Sequence, residues 1–193
     1  MFIIAFEGID NAGKTTQCLK LQKRLQADGF SVANAFNYES PIHDLIKSRF
    51  QKGDFPPDLK ILLFAAELFD HLHSHSPLSE IIIFDRYVAS LLAYGLMENL
   101  SSDWIKNVAA PLPTAHVTVY IDITAEIYKQ RIGSSGEVSP YSSEKLSNVH
   151  NNYLELMNST DLFIDGTDKE DDIGEIIFQK VLSTMSSCGL KNG

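Results

Sequence analysis

The chain has 193 residues, 44% hydrophobic and 21% charged, a composition typical of a globular domain with a sizeable core. The formal net charge of −9 argues against nonspecific nucleic-acid binding, because a phosphate polyanion would be repelled overall. Its two cysteines, Cys18 and Cys188, lack metal-ligand spacing and indicate a reduced compartment. We find neither a signal peptide nor a membrane-spanning run, because the apolar start Met1–Phe6 is short and leads directly into a glycine loop. We therefore expect a soluble cytoplasmic protein.

A glycine loop between a predicted strand and a predicted helix is the most informative part of the sequence. Residues 8–16 read Gly-Ile-Asp-Asn-Ala-Gly-Lys-Thr-Thr, directly after the apolar run. A strand, a glycine loop with Lys and Thr, and a helix together cradle the phosphates of a nucleoside triphosphate. Lys14 would place positive charge between the outer phosphates, and the Thr15 hydroxyl could ligate Mg²⁺. The alternative is an ordinary turn that happens to contain glycine.

Short apolar runs alternate with helical patterns along the chain. The predicted strands are Met1–Phe6, Val32–Phe36, Glu80–Asp85, His116–Ile123 and Leu162–Ile164. Six helices are predicted, and the first carries Cys18, Leu21 and Leu25 on one face. Ser40 is the predicted N-cap of the second, with Pro41 in its first turn, and the third begins near Leu59. Thr124 is the predicted cap of the fourth, which runs to Ile132; the fifth carries Leu146, Val149, Tyr153 and Leu156, and the last spans Ile173–Met185. Strands separated by helices favour a parallel sheet covered on both faces. We predict an α/β fold, a P-loop NTPase-type three-layer sandwich with a five-stranded parallel sheet. It would form a single domain over 1–193 with a flexible lid at about 133–143.

Polar groups follow the first three predicted strands, where ligands gather at the carboxyl edge of a parallel sheet. The glycine loop follows strand one, Glu39 follows strand two, and Asp85-Arg86-Tyr87 follows strand three. Asp85 could hold Mg²⁺ or its water opposite Thr15, and Arg86 could neutralise the phosphate of an acceptor. Taken alone, the Asp-Arg pair could equally be a surface ion pair. Together with the glycine loop, it favours a functional interpretation.

Three histidines, His71, His73 and His75, occur near the predicted end of a helix. Helical spacing puts His71 and His75 on one side, where they could bind a metal. The neighbouring Ser74 and Pro77 instead predict a helix end exposed to water. We favour that second interpretation.

The motifs resemble those of the thymidylate kinase family over nearly the whole chain. The resemblance is strongest in Phe6–Gln17, whose glycine loop is highly specific. Each later segment is only modestly specific by itself, but the segments together keep the family's order and spacing. They are Leu63-Phe64-Ala65-Ala66, Asp85-Arg86-Tyr87 with Ser90 and Ala93-Tyr94, Val119–Ile123 with Arg131, Tyr153–Leu156, and Ile164-Asp165.

The resemblance implies transfer of the γ-phosphoryl group of ATP, with Mg²⁺, to a pyrimidine deoxynucleoside monophosphate, dTMP in the typical member. The catalytic residues it implies are Lys14, Asp10, Arg86 and Asp85. The implied ATP-binding residues are Gly8, Ile9, Asp10, Asn11, Ala12, Gly13, Lys14, Thr15, Thr16 and Arg131, with Asp165–Thr167 beside the adenine. The implied acceptor-binding residues are Glu39, Phe64, Arg86, Ser90 and Tyr94, and the implied metal ligands are Thr15 and Asp85. The family also implies a homodimer formed through apolar helix faces.

Several of these residues have a simpler structural interpretation. Phe64 and Tyr94 lie in apolar helical stripes and, without the resemblance, would be assigned to the core. Arg131 would be assigned to a solvated helix end, and Ser90 would not be assigned any function.

The sequence also departs from the family pattern. Tyr38 and Ser40 flank Glu39 where the family usually has an arginine, and Leu68 stands where an arginine reaches the thymine. Gly95 replaces a usual polar residue. Neither Asn11 nor the stretch 133–143 supplies the arginine that most members use in catalysis.

These departures leave three outcomes open. Lys129, Arg131 or Lys145 could replace the missing arginine, the enzyme could be slow, or the acceptor could differ from dTMP. The alternatives to a dTMP kinase are therefore a kinase for a different or modified nucleotide or nucleoside, and a non-catalytic nucleotide-binding regulatory protein.

Overall fold

A computed structural model describes residues 1–35, 40–53, 55–75, 78–135, 141–157 and 162–190, leaving aside the side chains of Ser134 and Ser135. Within these ranges the chain forms one five-stranded parallel sheet, in the order β2-β3-β1-β4-β5. The strands are β1 (Phe2–Glu7), β2 (Val32–Asn34), β3 (Ile81–Asp85), β4 (Val117–Asp122) and β5 (Leu162–Asp165). The α/β class and the five-stranded parallel sheet are thus confirmed.

Eight helices connect and cover the strands in the described part of the chain. They are α1 (Lys14–Ala27), α2 (Pro41–Lys52), α3 (Pro57–His75), α4 (Val88–Met97), α5 (Ser102–Ala109), α6 (Ala125–Ser135), α7 (Ser143–Leu156) and α8 (Glu170–Ser187). The predicted cap of α2 is present, because Ser40 Oγ accepts a hydrogen bond of 3.1 Å from the His43 amide. Thr124 caps α6 in the same way, through the Ile127 amide at 3.4 Å.

The sheet separates two apolar cores because successive side chains of a strand point to opposite faces. From β1, Phe2, Ile4 and Phe6 pack with apolar residues of α1, α6, α7 and α8. Ile3 and Ala5 pack on the other face with residues of α3, α4 and α5. The arrangement is the predicted three-layer sandwich.

Two helices were not predicted, and α6 is among those that are longer than predicted. α4 and α5 fall between the third and fourth predicted strands, where we assigned no element. α4 reads Val-Ala-Ser-Leu-Leu-Ala-Tyr-Gly-Leu-Met, so it lacks the polar face that reveals a helical period. α6 continues past its predicted end at Ile132 to Ser135. Of the predicted second strand and lid, Phe36 and residues 136–140 lie outside the described residues.

The prediction of a water-exposed helix end at the histidines was wrong for His71. α3 continues to His75, and His71 is buried with 3% of its surface exposed. The described residues contain no group of three or more His, Cys, Asp or Glu residues that could hold a metal ion. They also include no helix that is both long and apolar enough to cross a membrane.

Candidate active site

The glycine loop between β1 and α1 is held in a tight turn by left-handed backbone conformations. Gly8, Asn11 and Gly13 have φ angles of 136°, 57° and 99°. A Cβ atom on Gly8 would lie 2.4 Å from the carbonyl oxygen of Ile121 in β4. Only glycine therefore lets the loop pack against the end of β4, which places the N-terminus of α1 at the carboxyl edge of the sheet.

Lys14, the first residue of α1, folds its ammonium group back over the loop. Its Nζ donates a hydrogen bond of 2.8 Å to the Ile9 carbonyl, and the side chain is buried. Burial, followed by the nearby charge of Arg86, lowers the pKa of Lys14 to about 8, although Asp85 and Asp10 act in the opposite direction. A bound polyphosphate would favour the charged ammonium, so this lysine is suited to an anionic ligand.

Thr15 and Asp85 join the start of α1 to the end of β3. The Thr15 hydroxyl donates to Asp85 Oδ2 at 2.5 Å. A hydroxyl and a carboxylate are the hard oxygen ligands that Mg²⁺ takes, usually with substrate phosphates and waters completing its shell. This oxygen pair therefore fits the ion that the sequence predicts there.

Arg86 follows β3 and crosses from the sheet edge to the glycine loop. Its backbone is left-handed, with φ 81°, and its amide donates to the Phe6 carbonyl at 2.8 Å. The guanidinium donates from Nη1 to the Gly8 carbonyl at 3.1 Å and from Nη2 to the Asp10 carboxylate. A non-glycine residue in this conformation is uncommon and strained, and it persists only where the surroundings impose it. These contacts hold Arg86 against the glycine loop.

Arg86 and Asp10 each stabilise the charged form of the other. Burial lowers the pKa of Arg86, but the Tyr94 hydroxyl and the Asp10 carboxylate outweigh it and raise that pKa well above its ordinary value. Burial likewise raises the pKa of Asp10, but the charges of Arg86 and Lys14 outweigh it and lower that pKa. Both groups are therefore ionised at neutral pH.

A buried polar cluster beneath Arg86 was missed by the sequence analysis. Glu7, with 1% of its surface exposed, accepts hydrogen bonds from the Tyr87 amide at 3.0 Å, from Ser90 Oγ, and from the Tyr153 hydroxyl at 3.3 Å. The Tyr153 oxygen also lies 2.7 Å from Ser90 Oγ and accepts from Arg86 Nη1 at 3.3 Å. Burial raises the pKa of Glu7, although the hydrogen bonds from Ser90 and Tyr87 and the charge of Arg86 oppose it. A carboxylate at the end of an apolar strand was the available sequence signal.

A cavity of about 580 Å³ opens beside these groups. It brings together predicted residues from distant parts of the chain, namely Asp10, Asn11, Lys14, Thr15, Phe64, Asp85, Arg86, Ser90 and Tyr94. The Tyr94 ring lies 5.0 Å from the Arg86 guanidinium carbon. Glu39, also predicted to bind the acceptor, lies outside the described residues.

Arg131 lies at the opposite side of the glycine loop. Its guanidinium donates from Nη1 to the Asn11 carbonyl at 2.8 Å and from Nη2 to the Gly166 carbonyl at 2.6 Å. It thus connects the loop to the turn after β5, so the interpretation of Arg131 as part of a solvated helix end was wrong. Lys145, another candidate for the missing arginine, instead pairs with Glu98 at 3.2 Å.

The structure also locates two departures from the family pattern. Leu68 lines the cavity, so an apolar side chain stands where the family places an arginine. A Cβ atom on Gly95 would lie 2.5 Å from Cδ1 of Ile105 in α5. A side chain at position 95 would therefore require the Ile105 side chain to shift.

The glycine loop lies at the carboxyl edge of a parallel sheet, with Lys14 folded over it and Thr15 and Asp85 beside it. This arrangement defines a P-loop nucleotide-binding protein. The family model described as thymidylate kinase matches residues 6–177. The chain belongs to the thymidylate kinase family.

Curated relatives agree over most of the chain. A probable thymidylate kinase of Sulfolobus acidocaldarius is 33% identical over 162 residues, which cover 81% of this chain and 82% of its own. Probable thymidylate kinase 1 of Saccharolobus solfataricus is 29% identical, covering 93% of this chain and 94% of its own. A probable thymidylate kinase of Sulfurisphaera tokodaii is 30% identical, covering 93% and 95%.

Proposed function

We propose that this chain is a nucleoside monophosphate kinase that transfers the γ-phosphoryl group of ATP to dTMP, giving dTDP and ADP. The observation that carries the proposal is the position of Arg86. Its permanently charged guanidinium lies between the glycine loop and the cavity lined by Phe64 and Tyr94. An arginine between two anionic substrates can bring their phosphates together, which Coulomb repulsion would otherwise oppose. Membership of the thymidylate kinase family supports the choice of donor and acceptor.

On the donor side, residues 8–16 would hold the triphosphate of ATP. The loop amides and the N-terminus of α1 provide donors, and Lys14 provides a buried ammonium. Thr15 and Asp85 would hold Mg²⁺, which when bound neutralises charge on the donor phosphates. Arg131, anchored on Asn11 and Gly166, is the candidate for the arginine missing from the loop and from stretch 133–143.

On the acceptor side, Arg86 would exchange part of its contact with Asp10 for the phosphate of dTMP. Asp10 would remain near the acceptor sugar and phosphate. Phe64 would stack on the pyrimidine, because an aromatic face binds any planar ring, and Tyr94 would line the sugar and base pocket. Ser90 would support this pocket indirectly, through its hydrogen bonds to Glu7 and Tyr153. The lid over about 133–143 would exclude water during transfer.

An acceptor panel tests the proposal. ADP release from ATP is measured by a coupled assay with thymidine, dTMP, dUMP, dCMP, dGMP and dAMP. We expect transfer to dTMP and none to thymidine, because Arg86 requires an acceptor phosphate. Transfer to thymidine but not to dTMP would indicate a nucleoside kinase. ATP binding without turnover on any acceptor would indicate a nucleotide-binding regulatory protein.

A further inference from the structure

One face of α3 lines the cavity along three turns. The cavity-lining residues of this helix follow helical spacing and are Lys60, Ile61, Phe64, Glu67, Leu68 and His71. Glu67 and Leu68 lie one turn beyond Phe64, and a helical turn rises about 5.4 Å. A pyrimidine stacked on Phe64 therefore presents its edge to Glu67 and Leu68. Leu68 cannot form a hydrogen bond, so Glu67 is the polar side chain of this turn.

Glu67 is fixed by a contact between two helices. Its Oε1 lies 2.7 Å from Nδ1 of His43 in α2, and the imidazole N–H donates to the carboxylate. His43 is placed at the start of α2, where its amide is bound by the Ser40 cap. The Glu67 side chain is only 13% exposed. Within the described part of the chain, its second oxygen, Oε2, accepts no hydrogen bond, so it can accept one from a ligand.

Two other polar groups that line the cavity, the Tyr87 hydroxyl and the Ser90 hydroxyl, have protein partners. The Tyr87 hydroxyl donates to the Pro113 carbonyl at 2.8 Å, and Ser90 is bound to Glu7 and Tyr153. Leu91, from α4, adds another apolar wall.

We propose that Glu67, oriented by His43, reads an N–H group on the edge of the acceptor base. An ionised carboxylate only accepts hydrogen bonds, so it favours an edge with a donor and disfavours one that presents lone pairs alone. In dTMP the donor is the imide N3–H, and in dCMP it is the 4-amino group. The inference rests on the proposed function, because it assumes that the pyrimidine stacks on Phe64.

Calorimetric binding of dTMP and N3-methyl-dTMP to the full chain tests this assignment. N3-methylation removes the imide donor and keeps the stacking face. We expect the wild type to bind dTMP about 10- to 100-fold more tightly than the methylated nucleotide, as for one charge-assisted hydrogen bond. Glu67→Leu should remove most of that ratio. Glu67→Gln, which keeps the shape, should lower the ratio less, because the amide oxygen still accepts without a charge.

Asp70→Asn is the matched control, because Asp70 is a carboxylate on the same helix that does not line the cavity. It should leave the ratio unchanged. A dCMP arm shows which N–H is read, because a loss of dCMP affinity in Glu67→Leu assigns the amine as well as the imide.

Equal wild-type affinities for dTMP and N3-methyl-dTMP would overturn the role of Glu67 while leaving the proposed kinase intact. The same conclusion would follow if both Glu67 variants weakened the two nucleotides by the same factor, because that would mean a structural role. A wild-type chain that binds neither nucleotide would overturn the proposed function together with this inference.

Discussion

Arg86 donates a hydrogen bond from Nη2 to the carboxylate of Asp10, which ties the end of β3 to the glycine loop. The pair places a fixed positive charge beside the donor loop before any acceptor enters. Because Asp10 already orients the guanidinium, little side-chain entropy remains to be lost when an acceptor phosphate binds. The ion pair is thus a pre-organised binding element.

Replacing Arg86 should abolish acceptor use without removing the donor site. For Arg86→Ala we expect kcat/KM for dTMP to fall by about a thousandfold, the order of magnitude of an arginine acting on a phosphoryl group. ATP affinity, measured by calorimetry, should change far less. Arg24→Ala is the control, because Arg24 pairs with Glu175 on the surface. Near-normal turnover by Arg86→Ala would contradict the assigned role.

Tyr153 should act as a positioning residue for Arg86. In Tyr153→Phe the ring still packs against Tyr120, at 5.3 Å between ring centroids, but the hydroxyl shared by Glu7, Ser90 and Arg86 is lost. We expect KM for dTMP to rise several-fold with a smaller change in kcat. The free energy of unfolding should fall by about 1 to 3 kcal/mol, because buried partners lose a hydrogen bond.

Tyr120→Phe is the control for this prediction. Tyr120 is also a buried tyrosine, and its hydroxyl donates to Asp122 at 3.1 Å and not to the Arg86 cluster. A similar loss of stability without a change in KM for dTMP is expected. If Tyr153→Phe behaves in the same way, the cluster is structural only.

The magnesium dependence should rest on Thr15 and Asp85. In Thr15→Ala or Asp85→Asn we expect the Mg²⁺ concentration for half-maximal activity to rise by about tenfold or more, as for lost ligands or ligand partners. Titration of MgCl₂ at fixed ATP measures it. Asp103→Asn, on the exposed face of α5, should leave the value unchanged. An unaltered requirement in both site variants would show that the ion is held elsewhere.

His71 should make the fold sensitive to mild acid. Burial first, and the nearby charge of His75 second, lower the pKa of His71 to about 4 from 6.5. Between these values the unfolded chain binds more protons than the folded chain. Stability is therefore complete above about pH 6.5 and is lost as the pH falls toward 4.

Urea midpoints measured at pH 7 and pH 5 test this behaviour. The decrease between the two pH values should be smaller in His71→Gln than in the wild type. His73→Gln is the control, because His73 is an exposed residue on the same helix. An identical decrease in the wild type and His71→Gln would assign the acid sensitivity to other groups.

The sequence predicted the parts of the site that are local in the chain. The residues of 8–16 act through backbone conformation and spacing, which a short motif encodes. Asp85 and Arg86 were found because they follow a buried strand, and the carboxyl ends of parallel strands meet at one edge. The Glu7–Tyr153 cluster was missed because its partners are separated by 146 positions and neither has a local signature.

The fold was predictable for a similar reason, except for the helices α4 and α5. Strands β1, β3 and β4 are buried apolar runs, and amphipathic helices such as α7 show their buried stripe in the sequence. α4 is nearly apolar throughout because it packs between α5 and α7, so its sequence has no period to detect. α5 is a single short helix whose cap, Ser101, was the available signal.

Phosphorus NMR of wild type and Lys14→Ala, each supplied with ATP, Mg²⁺ and dTMP, tests the central proposal most directly. We expect the wild type to form dTDP and ADP in equal amounts, and Lys14→Ala to form neither at a measurable rate. Inorganic phosphate in place of dTDP, or equal dTDP production by the variant, would contradict it.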